Sequence, residues 1–480
     1  MVNTLKPMSP ASHTLRWFVL TGLLMGFPTV MFSQTFPTPR GGEYAVSGPQ
    51  NGDQTGPRAA IGGAGGFVVY QDNGIDGSGL GIAARRLDAD LSPVGVPFRV
   101  NEVTAGDQEK PAVALLNGGG AAVAWQGGRQ GFQNVYARFL NADGSFATRD
   151  VVLNPTASSS TTRIAMNALV FRNNRVVYRT RRFKRIVTQN QERNGGVAVA
   201  TLNDGTVVVA YASGRHTHEK MQTFVPKVRF RYNRFITNSV LQFVETDTDS
   251  MQDIYFQLFT AAGQKIGAEI RANQFVDFNQ HHPSVAALSD GTFVMAWNSE
   301  QQRNDNSIDV VARVFDSQGN PLTDEIFVNT SSQPCGNSAV AGHTEGGFTV
   351  AWTEKSPTRS DNLDIFARTF SPSASPITAA FRVNSYTRGD QFAPSIAATP
   401  GGQVILWTSL GQDGSRDGVY GRGLNNGAFA GAEFRVNTTT YLRQFNPHLA
   451  ADKSGHFLAV WSSYQTTAGF DVFGQIYTAP

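Results

Sequence analysis

Residues 98–154 read FRVNEVTAGDQEKPAVALLNGGGAAVAWQGGRQGFQNVYARFLNADGSFATRDVVLN, and most of the chain is built from copies of this stretch. Two apolar runs, 112–116 and 121–125, flank Asn117-Gly118-Gly119. Two more, 135–140 and 148–153, flank Asn141-Ala142-Asp143-Gly144. Gly, Asn and Asp tolerate the positive φ that tight hairpins require. The unit therefore predicts four antiparallel strands, a to d. Strands a and b are nearly all apolar, as in strands covered on both faces. Strand d carries more charge, as an outer edge does.

The copies align on the residue that closes each unit: Ser47, Asn101, Asn154, Asn273, Asn329, Asn384 and Asn437. The intervals are 54, 53, 119, 56, 55 and 53, and only 43 residues follow Asn437. Those 43 suffice for three strands. The fourth is offered by 41–47 (GGEYAVS), which matches 431–437 (GAEFRVN). A closed ring needs one blade stitched from both ends of the chain, whereas an open solenoid does not. One aromatic residue ends strand b in each unit: Tyr70, Trp125, Tyr211, Trp297, Trp352, Trp407 and Trp461. Inter-blade packing accounts for a residue present in every copy. The fold expected is all-β: a seven-bladed β-propeller over 41–480, closed by an N-terminal strand.

The long interval holds almost one extra blade. Residues 199–211 (VATLNDGTVVVAY) copy 285–297 (VAALSDGTFVMAW), which places strands a and b of blade three. Residues 253–259 and 265–273 supply c and d. Two insertions remain, 155–196 and 213–250. Their connections leave a propeller on the same face, so they should meet there as a cap beside the channel. Strands are expected in them at 168–171, 175–179, 227–232 and 240–244. Lys227-Val228-Arg229-Phe230-Arg231-Tyr232 alternates basic and apolar, which predicts one buried and one cationic face. The alternative is an eight-bladed ring, with 163–180 serving as degenerate strands a and b.

Charge is uneven. The chain nets +3, but 155–196 has nine Lys/Arg against one acid (+8) and 213–250 has six against four (+2). With the +2 of 1–34 also set aside, the remainder stands at −9. A basic cap on an acidic ring follows. The cap either docks on its own ring or offers Arg forks to an anionic ligand. Apolar content of 40% suits a large core. The single cysteine, Cys335, excludes an internal disulfide and a Cys-based metal site. It reads as a small buried residue or as a free thiol.

At the N-terminus, Lys6 and Arg16 precede an apolar run, 17–32, and a polar segment from Ser33. This is the order of a signal peptide over 1–34, with a retained anchor as the alternative. Removal would leave no membrane span in the mature chain, which is expected in a secreted, periplasmic or cell-surface location.

Candidate chemistry is sparse. His216 and His218 lie in the second insertion and His281-His282 in the loop entering blade four, on the same predicted face. With Tyr232 nearby they are candidate catalytic groups, or solvated loop residues. Arg179, Arg181, Arg182, Lys184, Arg185, Arg229 and Arg231 are candidate ligand-binding cations. Gly-Asp-Gln recurs at 52–54, 106–108 and 389–391, and an Asp precedes strand c as Asp253, Asp309, Asp364, Asp417 and Asp471. Asp72/Asp76 and Asp413/Asp417 have a spacing that suits weak structural calcium, but the compact D-x-D-x-D-G loop is absent, and turn capping explains the same residues. No other cofactor is expected.

The pattern GDQ…P-x-V-A…V-V-A-W…V-Y-A-R-F…F-R-V-N resembles repeats of bacterial secreted and cell-surface proteins, where adhesin-like chains carry them. The resemblance covers the chain after 1–34 except the two insertions, and it implies binding or adhesion. The expected partner is an anionic polysaccharide or a surface protein, engaged by a monomer. A polysaccharide lyase or hydrolase at the capped face and a protein-interaction scaffold are the alternatives. Sialidase Asp-boxes and a G-x-S-x-G elbow are absent. No nucleic-acid motif is present, and an acidic ring is a poor partner for phosphates.

Overall fold

A computed structural model describes residues 37–478, apart from 49, 129–132, 154–157, 173–174, 232–233, 250, 358–361 and 467–468. The described residues form antiparallel sheets and no helix, so no helix is long and apolar enough to cross a membrane.

Each repeat becomes one sheet, with strands in chain order. Sheet one is Gln54–Gly62, Gly65–Asp72, Gly81–Leu87 and Pro93–Arg99. Sheet two is Asp107–Leu115, Ala121–Gly128, Asn134–Leu140 and Val151–Val152. Sheet four is Gln280–Ala287, Phe293–Glu300, Ile308–Phe315 and Ile326–Phe327. Sheet five is Cys335–Gly342, Phe348–Lys355, Leu363–Phe370 and Phe381–Arg382. Sheet six begins Gln391–Thr399, Gly402–Leu410, Asp417–Asn425, and both Ala428–Phe429 and Phe434–Arg435 pair with its third strand. In sheet seven, Gln444–Ala451, His456–Thr466 and Gly469–Thr478 are completed by Thr38–Ala45, which pairs Thr38 with Thr478. The first strand of the described chain thus fills the last sheet. It begins three residues before the expected 41–47. Strand d is shorter than expected in sheet two, where two residues remain of 148–153.

Neighbouring sheets pack face to face through apolar side chains. Sheets one and two share Val69, Val123 and Trp125, and sheet two shares Phe139, Val209 and Tyr211 with sheet three, which contains Val207–Arg231 and Asp253–Phe259. Phe256 and Trp297 join three to four, and Val310 and Trp352 join four to five. Ile365 and Trp407 join five to six, and Val419 and Trp461 join six to seven. Sheet seven returns to sheet one through Val460, Val472, Val68 and Tyr70. The succession of interfaces closes on itself, which is the β-propeller arrangement. All seven strand-b aromatics are fully buried in these interfaces.

The repeated polar residues lock the sheets. Asn101, Asn273, Asn329, Asn384 and Asn437 each accept a bond from the backbone N–H of a strand c residue, as Asn329 does from Val310 at 2.9 Å. The Asp of Gly-Asp-Gln caps the preceding sheet: Asp53 receives Phe470 N–H, Asp107 Leu80 N–H and Asp390 Leu363 N–H. The Gln tethers its own turn and, in sheets two and six, accepts Trp125 and Trp407 Nε1–H at 3.1 and 3.2 Å.

Sheet three carries the surplus. Its strands a and b are Arg175–Thr201 and Val207–Arg231, its c and d Asp253–Phe259 and Lys265–Arg271. Ser158–Arg172 pairs with the extension of a, and Arg234–Asp249 with that of b. The two insertions are thus continuations of one sheet, an arm: the strands pair side by side as far as Arg185 and Met221, and two hairpins continue beyond, the second ending about 60 Å from Ser213 at 3.3 Å per residue. No eighth sheet forms among the described residues. The expected burial of one face of 227–232 is not found. Val228 and Phe230 are 59% and 60% exposed, although Phe230 meets Phe235 across the hairpin with ring centroids 5.1 Å apart.

Candidate functional site: the central channel and the basic arm

Strand a of every sheet faces one central cavity of about 410 Å³. Each of these strands carries a bulge at the same level, seen as a break in register. The extra residue has positive φ in all seven: Gly56, Lys110, Gly196, His282, Asn337, Ala393 and Asn446, between 50° and 61°. Five of them bear a side chain, at a cost of about 1 kcal/mol or more each. A proline follows in five sheets, at a place where the bulge leaves no ladder partner for an N–H. The bulge turns the next side chain toward the cavity. That position is Ala112, Ala198, Ser284, Ala339 and Ser395 in five sheets, but Arg58 and His448 in the adjacent sheets one and seven.

Arg58 is half-buried, and its Nη1 donates to Pro57 O at 2.8 Å. Burial lowers its pKa. His448 Nδ1 accepts Ala59 N–H at 3.2 Å, so the neutral ring carries its proton on Nε2. Burial first, then the Arg58 charge, pushes His448 down to about 3. Lys110 and His282 stand at the rim, both exposed. No Asp or Glu lines the cavity among the described residues.

His281 and His282 meet through their Nδ1 atoms at 2.6 Å, and His281 Nε2 lies 3.3 Å from Glu300. Burial, followed by His281 and Lys110, holds His282 down at about 4. His216 and His218 lie on the arm strand, opposite Asn190 and Thr188, with side chains outside the described residues. Tyr232 lies outside them entirely. Among the described residues no three His, Cys, Asp or Glu side chains converge as metal ligands. Asp72 accepts Gly74 N–H, Asp76 accepts Ser78 N–H and Asn101 Nδ2–H, Asp413 accepts Ser415 N–H, and Asp417 pairs with Arg443 at 2.6 Å. The backbone bonds to Asp72, Asp76 and Asp413 are those of turn caps, and Asp417 is held by an ion pair.

On the arm, Arg182, Lys184, Arg229 and Arg231 are exposed. Arg185 makes two bonds to Glu219, at 2.7 and 2.8 Å. Arg179 and Arg181 lie on the same strand, their side chains outside the described residues. The two hairpins end on arginine pairs, Arg172 opposite Arg175 and Arg231 opposite Arg234, all four exposed. Sequence reasoning missed this pairing, and it missed Arg58 and His448. The available signal was a departure from the repeat: only these two copies put a long basic or aromatic side chain where the others have Ala or Ser.

The chain matches no protein-family profile and no curated protein. Among solved structures it is similar to a protein of unknown function from Dyadobacter fermentans, at 9% identity over 79% of this chain and 97% of that one (TM-score 0.47). It is similar to the β-propeller domain of the Trilobed protease from Pyrococcus furiosus, at 7% identity over 90% and 94% (TM-score 0.43). A third is the NanB sialidase from Streptococcus pneumoniae, at 6% identity over 92% and 98% (TM-score 0.42).

Proposed function

We propose that the chain is an exported binding module, a seven-bladed β-propeller whose sheet-three arm holds an anionic glycan. The observation that carries this reading is the pair of arginine pairs at the arm's end. Like charges opposite one another across a hairpin repel. A polyanion bridging Arg172, Arg175, Arg231 and Arg234 relieves that repulsion and gains charge-assisted bonds. The basic-apolar-polar order of 1–34 supports export. Among the described residues no carboxylate lines the cavity, which disfavours a glycoside hydrolase there, since that chemistry uses a carboxylate pair.

Surface plasmon resonance with polygalacturonate and amylose tests the reading. The wild type should bind the acidic polymer, not the neutral one, and lose it as salt rises. Replacing the four arginines with Ser should weaken binding at least about tenfold. Equal binding by the variant overturns the proposal. The second reading, a lyase, is favoured by the neutral His282 beside Lys110 at the cavity rim. It predicts ultraviolet-absorbing unsaturated uronate, lost in His282→Ala.

A further inference from the structure

The central cavity is a separate feature from the arm, and its chemistry is that of a receptor site. Two of its seven walls break the small-residue pattern, and they are neighbours. Arg58 brings a charge that burial makes costly, and among the described residues no carboxylate pairs with it. His448 is held neutral with its Nε2–H as a donor, because Ala59 N–H occupies Nδ1. The same backbone position in the preceding pair of sheets is served by Ser395, which accepts Leu449 N–H at 3.0 Å. Serine therefore suffices for the wall-to-wall bond. The imidazole adds an aromatic ring and places its one N–H donor on Nε2, neither of which the fold requires.

Beyond this level the walls turn apolar, with Val113, Val199, Val285, Val340 and Ile396. The cavity thus has a cationic, donor-rich zone and an apolar zone, in a volume within the range of small-molecule sites. Lys110 at the rim adds positive potential along the entry path. A carboxylate matches the fork of a guanidinium and accepts from an imidazole N–H.

We propose that the central channel binds a small organic carboxylate, its anionic group held by Arg58 and the Nε2–H of His448, and its body against the apolar walls. This does not rest on the arm reading, because the residues are different and the ligand is a small molecule.

Isothermal titration of the full chain with glucuronate and with benzoate tests it, with glucose and inorganic phosphate as the neutral and non-carboxylate controls. At least one carboxylate should bind tighter than about 10 mM, and glucose should not. Arg58→Gln should weaken that binding at least about tenfold, and Arg58→Lys should restore part of it. Lys110→Gln, at the exposed rim, should weaken it about threefold by lowering the potential. It keeps the test open if Arg58→Gln fails to fold. The fourfold arginine-to-serine arm variant should bind the carboxylate as the wild type does. No carboxylate binding by the wild type overturns the proposal, as does binding unchanged in Arg58→Gln and Lys110→Gln. Phosphate binding without carboxylate binding overturns the ligand class.

Discussion

Cys335 occupies the place where strand a of five other sheets carries a glutamine, namely Gln54, Gln108, Gln280, Gln391 and Gln444. Those glutamines tether turns, and two of them accept a tryptophan Nε1–H. In sheet five the smaller thiol leaves room for Glu354, whose carboxylate takes Trp352 Nε1–H at 2.8 Å. The thiol is buried, its Sγ 3.3 Å from Gln333 O, and its pKa is raised by burial and by the Glu354 charge. Thiolate is the reactive form, so Cys335 should be inert to Ellman's reagent in the native chain and react once urea unfolds it. Rapid reaction of the native protein would contradict this packing. Of the two readings of the lone cysteine, the small buried residue is the one this environment supports. The repeat alignment did not show why, because the compensating Glu354 sits on another strand.

At the scale of elements, the arm and the ring are held by different forces. Ring strands are covered on both faces by neighbouring sheets. The arm's outer strands, Ser158–Arg172 and Arg234–Asp249, pair with its inner ones, and Val228, Phe230 and Phe235 stand exposed. Deleting the arm, by joining each ring strand through a short Gly-rich turn, should therefore leave the ring's circular dichroism intact. The melting midpoint should shift by less than about 4 °C, equivalent to about 4 kcal/mol for a chain of this size. A larger loss would mean that the arm docks on the ring. The insertions were legible in the sequence as a break in the repeat interval, and their strands as alternation. Their continuity with strands a and b was not legible, because a strand long enough to leave its sheet has the same local pattern as two short ones.

For the whole molecule, closure depends on Thr38–Ala45. That strand pairs with Gly469–Thr478, and Glu43 bonds to the N–H of Thr438 and the hydroxyl of Thr439 near sheet six. Without it the last sheet has three strands and an open edge. Removing residues 35–47 should lower the melting midpoint by about 5 °C or more, since several kcal/mol of paired and buried contacts are lost. Scanning calorimetry would show this, and an unchanged midpoint would argue that the ring closes without that strand.

The sequence by itself determined the repeat, the four-strand unit, the aromatic at the end of each strand b and the need for a strand from the far end of the chain. All of these follow from local pattern and from counting, and local pattern is repeated seven times. Tertiary structure alone decided what fills the centre. Arg58 and His448 are 390 residues apart in the chain, and only ring closure makes their strands neighbours. The arginine pairs of the arm are local by contrast, each three residues apart and set opposite one another by the register of its own hairpin. Side chains that converge across a distance such as that between Arg58 and His448 leave no mark on local periodicity, so the ring was legible from the pattern, whereas those two residues showed as departures from it.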